Sequence, residues 1–211
     1  MIRSIIIAVL LIFSWSLNAQ KDPAAKTILD KFSDAALSVP AIHLKFSLTV
    51  HDKIEETTQE SDGQVIIKDN MYKLELPDNI IWYDGSSTWT LAPEVKEVTV
   101  TIPDPDENTF FTSPSSLFDM YKEDFKYRLL EESPERNVID LYPEDPSNTD
   151  FSIIRLVIDE DGRLTSAEYR RKDGIDLYVD IIEYNHDKSY PDSYFTFDST
   201  DYPDVDVIDM R

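Results

Sequence analysis

The sequence predicts a mainly β fold of the α+β type, in which one antiparallel sheet is covered on one side by short helices. Several segments alternate apolar and polar residues with the period of two that a half-buried strand requires. All four glycines of the chain follow an aspartate, and Asp-Gly is the strongest two-residue hairpin signal. Helical periodicity is confined to two segments, one near the start of the chain and one near its middle.

The first predicted helix and the first strand follow one another directly. Asp22-Pro23 suits the N-cap and first-turn positions of a helix, apolar residues then recur at helical spacing up to Val39, and the helix is expected to end before Pro40. Residues 42–50 then alternate Ile, Leu, Phe, Leu and Val with His, Lys, Ser and Thr. We therefore expect a strand with one continuous apolar face.

Asp-Gly pairs divide much of the remaining chain into strands. Residues 80–100 form two extended segments joined at Asp84-Gly85 and a third segment after Pro93. Residues 152–185 form three further strands joined by two more Asp-Gly pairs. Because this interpretation assigns every glycine to a turn, no glycine-rich loop remains to bind a phosphate group.

The second predicted helix is short and opens at Ser113-Pro114. Leu117, Phe118 and Tyr121 fall on one stripe of this helix. A short helix with such a stripe needs an apolar surface against which to pack.

The start of the chain has the features of a secretory signal. Arg3 precedes an apolar run over residues 5–17, and the small residue Ala19 follows. We therefore predict that residues 1–19 are a signal peptide cleaved after Ala19 and that residues 20–211 form a single domain. A retained membrane anchor is the alternative, but the run is shorter than the about 20 residues that a spanning helix needs.

The acidic composition limits the possible partners. The chain has 42 Asp and Glu residues against 20 Lys and Arg residues, and loss of Arg3 with the signal changes the formal charge from −22 to −23. Such a field repels nucleic acid and anionic lipid headgroups, so we expect no nucleic-acid binding. Any charged docking partner should present a basic surface.

The sequence offers no candidate catalytic residue. His43, His51 and His186 are scattered, and the carboxylates of Asp159 and Asp161 fit a hairpin turn better than a metal or acid/base site. With no cysteine, the chain has neither disulfides nor the attachment residue of a lipoprotein. We expect no enzyme activity, no metal and no cofactor.

The remaining candidate site is an apolar surface. By alternation, one face of the predicted sheet would carry most of the large apolar side chains of the strands. The side chains assigned to this face are Phe46, Leu48, Val50, Val65, Ile67, Tyr72, Leu74, Ile81, Tyr83, Trp89, Leu91, Val98, Val100, Ile154, Leu156 and Ile158. A packed core beneath two helices and a lined cavity give the same pattern, so alternation leaves both possibilities open.

Six segments together resemble a known family. They are FSLTV at 46–50, GQVIIK at 63–68, YKLELP at 72–77, the 80–100 run with Asp84, Gly85, Trp89, Pro93, Val98 and Val100, SPSSLFDMY at 113–121 and FTF at 195–197. In their order and spacing these segments resemble the LolA-type periplasmic carriers of outer-membrane lipoproteins.

The resemblance implies a fold and a function. It implies an incomplete antiparallel β-barrel whose concave apolar interior holds acyl chains of lipoproteins, with the helices from Asp22 and Pro114 as lids. The lid residues would be Phe32, Leu117, Phe118 and Tyr121. A periplasmic monomer of this kind would receive lipoproteins from an inner-membrane ABC-type lipoprotein-releasing complex and deliver them to an outer-membrane receptor or to the membrane itself.

One departure from the family concerns the closure of the lid. Family members commonly carry an Arg-Pro pair after the strand that begins at Gly63, and the arginine holds the lids closed. This chain has Lys68-Asp69-Asn70 there. Lys68 is the candidate replacement, although an ammonium does not reproduce the forked hydrogen bonding of a guanidinium.

Two other functions stay open: a regulatory module that senses mislocalised lipoproteins through a protein partner, and a secreted enzyme with an unrecognised site.

Overall fold

The computed structural model of the chain describes residues 21–103 and 114–211. The predicted signal peptide, residues 1–19, and Ser113 lie outside this part of the chain. The helix is α1 (Pro23–Leu37), and four short 3₁₀ helices cover Pro114–Phe118, Met120–Lys122, Pro146–Asn148 and Asp192–Phe195. The strands are β1 (Ile42–Asp52), β2 (Thr57–Lys68), β3 (Met71–Glu75), β4 (Ile80–Tyr83), β5 (Thr88–Ala92), β6 (Glu97–Thr101), β7 (Phe125–Glu132), β8 (Asn137–Pro143), β9 (Phe151–Ile158), β10 (Leu164–Arg171), β11 (Ile175–Asn185) and β12 (Asp206–Asp209).

The strands form one 12-stranded sheet in the order β12-β6-β5-β4-β3-β2-β1-β11-β10-β9-β8-β7. Strand β1 lies in the middle because it pairs with β2 on one side and with β11 on the other, both antiparallel. The pairing of β12 with β6 is parallel. Since β12 and β7 end the order without pairing to each other, the sheet is open. The prediction of a mainly β fold with an incomplete antiparallel barrel is confirmed.

The start of α1 is fixed by the residues that predicted it. The Asp22 side chain caps the helix by accepting a hydrogen bond from the Ala24 backbone N–H at 3.0 Å, and Pro23 occupies the first turn. The other Asp22 carboxylate oxygen accepts from the Leu129 N–H at 3.2 Å, which ties the start of the helix to β7. The helix ends at Leu37, before Pro40, as predicted.

Three of the Asp-Gly pairs form the predicted turns, but the fourth does not. Gly85, Gly162 and Gly174 have positive φ angles of 94°, 80° and 92°, which favour glycine. Gly63 instead lies inside β2 and pairs with Phe46 of β1, so its assignment to a turn was wrong. A Cβ at this position would lie 2.6 Å from Cζ of Phe46, so the missing side chain makes room for the aromatic ring.

The two faces of the sheet bury different clusters. The inner face, defined as the face under α1 and the 3₁₀ helices at 114–118 and 120–122, carries the main apolar cluster. The outer face carries a smaller cluster at the β4–β6 end, where Trp82, Leu91 and Val98 pack beneath the C-terminal segment. The charged side chains of the outer face pair across the strands, as Arg155 does with Asp140 at 2.7 Å.

Candidate functional site

Strand register builds the inner face as continuous rows of side chains. Residues that face each other across neighbouring strands point to the same side of a sheet. One row runs from Leu44 through Val65 and Leu74 to Ile81 across β1 to β4. The inner face gathers these predicted residues: Phe46, Leu48, Val50, Val65, Ile67, Tyr72, Leu74, Ile81, Tyr83, Ile154, Leu156 and Ile158.

The four predicted residues on β5 and β6 lie on the other face, which corrects the single-face assignment. Leu91 pairs with Ile80 and with Val98, and Trp89 pairs with Trp82 and with Val100. Trp89, Leu91, Val98 and Val100 therefore belong to the outer face. Both Ile80 and Ile81 are apolar, so alternation within β4 could not reveal which set faces β5, and only the hairpin register decides it.

The inner face becomes more polar toward β6. Its positions on β5 and β6 are Thr88, Thr90, Thr99 and Thr101, all of them half-buried. These residues continue the rows of Tyr83 and Ile81. The apolar part of the inner face therefore ends in a border of hydroxyl groups.

The sequence pattern did not predict several residues that lie on the inner face. Tyr127 of β7, Ile139 and Leu141 of β8, and Tyr169 of β10 are all buried in the main cluster. Strand β8 has apolar residues on both faces and little alternation, which hides its orientation. The alternation of Leu177, Val179 and Ile181 in β11 could have identified these residues as part of the inner face.

The predicted lid residues pack into the main cluster. Phe32 of α1 and Phe118 of the 114–118 helix have ring centroids 5.3 Å apart, and both are at most 2% exposed. Leu117 and Tyr121 are equally buried. The segment predicted as one helix from Pro114 is two 3₁₀ helices, which present the same stripe to the sheet. In this form the side chains of the lid pack against the inner face of the sheet.

A polar contact joins the two parts of the lid. The Tyr121 hydroxyl donates to Oδ1 of Asp30 at 2.7 Å, and Lys26 donates to Oδ2 of the same carboxylate at 2.6 Å. The Lys26 ammonium and the Tyr121 hydroxyl hold the pKa of Asp30 below its usual value. Burial and the neighbouring carboxylate raise the pKa of Tyr121, which keeps the hydroxyl protonated as a donor.

Lys68 does not contact the lid, contrary to the role assigned to it. Its alternation in β2 places it on the outer face, opposite Met71. There Nζ donates to the Tyr190 carbonyl at 3.0 Å and pairs with the Asp192 carboxylate at 2.5 Å. Lys68 therefore holds the C-terminal segment against the outer face of the sheet.

The described residues contain little that points to other kinds of site. Residues 21–103 and 114–211 hold no group of three or more His, Cys, Asp or Glu side chains arranged to bind a metal ion. In the same ranges, no helix combines the length and apolar content needed to cross a membrane.

An open antiparallel sheet with an apolar inner face beneath a short helical lid defines the LolA-like class of folds. Residues 38–198 match the sequence profile of the family described as outer membrane lipoprotein carrier protein LolA. The chain belongs to this family. No curated protein matches the chain.

Several solved structures resemble the chain at low sequence identity. An uncharacterized conserved protein from Thermus thermophilus is 14% identical, with a TM-score of 0.51, over 88% of this chain and 99% of that chain. The LolA superfamily protein NE2245 from Nitrosomonas europaea is 15% identical, with a TM-score of 0.46, over 82% and 97% of the two chains. A putative outer membrane lipoprotein-sorting protein domain from Vibrio parahaemolyticus is 10% identical, with a TM-score of 0.45, over 81% and 95%.

Proposed function

We propose that this protein is an exported carrier that holds the acyl chains of lipoproteins between the inner face of its sheet and its lid. The observation that carries the proposal is the composition of the buried space. The lid side chains Phe32, Leu117 and Phe118 lie in one apolar cluster with the inner face. Acyl chains would replace these side chains rather than enter a separate pore.

The burial energy of the lid side chains is similar in size to that of an acyl chain. Burial of a Leu or Phe side chain contributes about 1.5–3 kcal/mol, so the three lid side chains together contribute about 5–9 kcal/mol. An acyl chain of ordinary length, at about 0.8 kcal/mol per methylene, gains about 10 kcal/mol by leaving water. The acyl chain can therefore compensate for the contacts that these three side chains lose when the lid opens.

The same balance favours direct transfer between binding sites. Release into water would expose the acyl chain before the lid closes again, so the barrier to that route approaches the whole burial energy of about 10 kcal/mol, and release by that route would be very slow. We therefore expect loading at an inner-membrane ABC-type lipoprotein-releasing complex and delivery to an outer-membrane receptor or to the membrane itself. Closure of the lid over an empty inner face lowers the cost of delivery, because the lid side chains re-bury themselves as the acyl chains leave.

The family assignment and the sequence support the location and the chemistry of the proposal. The family is described as a lipoprotein carrier, and the predicted signal peptide at residues 1–19 would direct the chain to the periplasm. The chain would act as a monomer and without a cofactor. Its formal charge of −22 disfavours adsorption to anionic lipid headgroups, so we expect a basic protein surface to guide docking.

Native mass spectrometry of the protein purified from the periplasm tests the proposal. We expect a population with a bound lipoprotein or lipid, and we expect this population to fall when the inner face carries a charge. Capture of a signalling protein without lipid would support the regulatory alternative. An empty protein after co-expression with abundant lipoproteins would contradict the carrier function.

A further inference from the structure

Most of the exposed large apolar side chains of the described residues lie at the edge of the sheet formed by β6 and β12. Nine large hydrophobic side chains of the described residues are exposed. Five of them lie at the β6–β12 edge: Val95, Ile102, Val207, Ile208 and Met210. On β12 itself, Val207 is 53% exposed and Ile208 is 42% exposed. A concentration of this kind marks a contact surface more often than isolated exposed residues do.

The backbone of β12 leaves its outer side open for pairing. The N–H groups of Asp206 and Met210 donate to Lys96 and Val100 of the neighbouring segment, both at 2.9 Å. Because successive residues of a strand direct their N–H groups to opposite sides, those of Val207 and Asp209 point away from β6. In the described part of the chain, no strand pairs with this side of β12.

The charges at this edge select the kind of strand that can pair with it. Asp204, Asp206 and Asp209 lie on or next to β12, and Glu94 and Glu97 lie on the neighbouring turn and strand. The basic residues there are Lys96 and Arg211. Asp209 already pairs with the Arg211 guanidinium at 2.6 Å, which holds its pKa at about 2, so the net negative charge of the edge comes from the other acidic residues. The edge is therefore apolar and predominantly negative.

A second copy of this chain fits the edge poorly. Pairing of β12 with β12 of another copy would bring the aspartates of both strands side by side, and like charges across a strand pair are destabilising. The formal charge of −22 on each copy adds repulsion at longer range. Within Asp206–Asp209 there is neither lysine nor proline, the residues that commonly block sheet edges. The aspartates thus exclude other copies and still admit a basic strand.

We propose that the outer edge of β12 binds an extended segment of a partner protein that carries both basic and apolar side chains. The segment would add a thirteenth strand to the sheet, with hydrogen bonds to the backbone of Val207 and Asp209. Its apolar side chains would cover Val207 and Ile208, and its basic side chains would pair with the aspartates. This site lies at the edge of the sheet, beyond the threonine border of the inner face, and does not depend on the proposed lipid binding.

The test uses lipid-free protein and a fluorescent eight-residue peptide that repeats Lys-Val-Val-Lys, so that each face of the added strand carries both valine and lysine, as each face of β12 carries one apolar and one acidic side chain. Fluorescence anisotropy should show saturable binding that weakens as salt rises, because part of the attraction is electrostatic. Val207→Pro removes an outward N–H that β6 does not use, and we expect it to weaken binding about tenfold or more. Val207→Thr keeps this N–H and the strand propensity, so it serves as the matched control and should change binding less than about threefold.

A second measurement separates strand pairing from adsorption by charge and does not rely on a variant. A peptide with the same sequence, N-methylated on the groups that would face β12, keeps its charge but cannot donate hydrogen bonds. We expect it to lose binding to the unmodified protein. Equal binding of both peptides, equal binding to Val207→Pro, or no binding of the first peptide at low salt would each overturn the proposal.

Discussion

The Tyr121 hydroxyl donates a hydrogen bond of 2.7 Å to the Asp30 carboxylate, and this contact connects two lid segments that are 91 residues apart in sequence. Asp30 belongs to α1, and Tyr121 belongs to the second 3₁₀ helix of the lid. A further contact holds α1, because the Asp22 carboxylate accepts from the Leu129 N–H of β7. The side-chain contact between α1 and the second 3₁₀ helix is thus made by tyrosine and aspartate, while Lys68 lies on the other side of the sheet.

Replacement of Tyr121 by Phe should loosen the lid without creating a cavity. The variant keeps the buried ring and loses only the hydrogen bond, so we expect the free energy of unfolding to fall by about 1 kcal/mol. Binding of a hydrophobic fluorescent probe should rise, because the inner face becomes accessible more often.

Tyr142→Phe is the control for this prediction. The Tyr142 hydroxyl donates to the Asp140 carboxylate at 3.1 Å on the outer face, so the same chemical change is made away from the lid. Probe binding should stay unchanged in this variant. An equal rise in both variants would mean that general destabilisation, rather than loss of lid closure, admits the probe.

The contribution of Asp30 to stability should depend on pH in a defined direction. Its pKa is lower in the folded protein than the unfolded value of about 3.9. The stabilisation by Asp30 is therefore fully present above about pH 4 and is lost as the pH falls through the folded pKa. Urea unfolding of the original chain and of Asp30→Asn should differ most above pH 5, and the difference should shrink in acid. A difference that is constant down to pH 3 would contradict this role.

Truncation of Phe118 tests whether the lid covers a separable surface. Phe118→Ala should cost about 3 kcal/mol of stability and should raise probe binding, because the lost ring uncovers part of the inner face. Phe197→Ala removes a half-buried ring that stacks on Tyr202 in the outer cluster and is the control away from the lid. Loss of stability without a rise in probe binding would place Phe118 in an ordinary packed core.

The fit of Phe46 over Gly63 can be tested by a pair of substitutions. A methyl group at residue 63 would collide with the Phe46 ring, so Gly63→Ala should destabilise the protein by about 1–3 kcal/mol. If the ring is the cause, Gly63→Ala should cost much less in a Phe46→Leu background. Additive effects of the two substitutions, measured by urea unfolding, would show that the backbone of β2 is responsible instead.

Local signals in the sequence predicted much of the fold. The start of α1 depends on Asp22 and Pro23, which act within one helical turn, and Gly162 and Gly174 occupy turns that need positive φ. The Asp-Gly rule failed at Gly63 because its position inside β2 depends on pairing with β1, which a dipeptide does not encode. The parallel pairing of β12 with β6 joins distant segments and had no local signal.

Local patterns in the sequence likewise predicted only part of the candidate site. Alternation placed Phe46, Leu48 and Tyr72 on one face correctly, because each lies in a strand with a single apolar side. It failed for Trp89 and Leu91, whose side depends on the register of the β4–β5 hairpin. The contact between Asp30 and Tyr121 could not be predicted, because no pattern relates a helix to a 3₁₀ helix so far along the chain.

Leu48→Glu tests most directly whether acyl chains bind on the inner face. Leu48 is buried on this face, and a carboxylate beside an acyl chain must remain desolvated or become protonated, which costs several kcal/mol. Thr49→Glu adds the same group to the outer face one residue further along β1 and is the matched control. Both variants should first be shown to be folded by circular dichroism.

The deciding measurement is the amount of lipoprotein that each folded variant releases from inner-membrane vesicles into a soluble complex. We expect Leu48→Glu to lose this activity and Thr49→Glu to retain it. Normal release by a folded Leu48→Glu protein would contradict binding at the inner face.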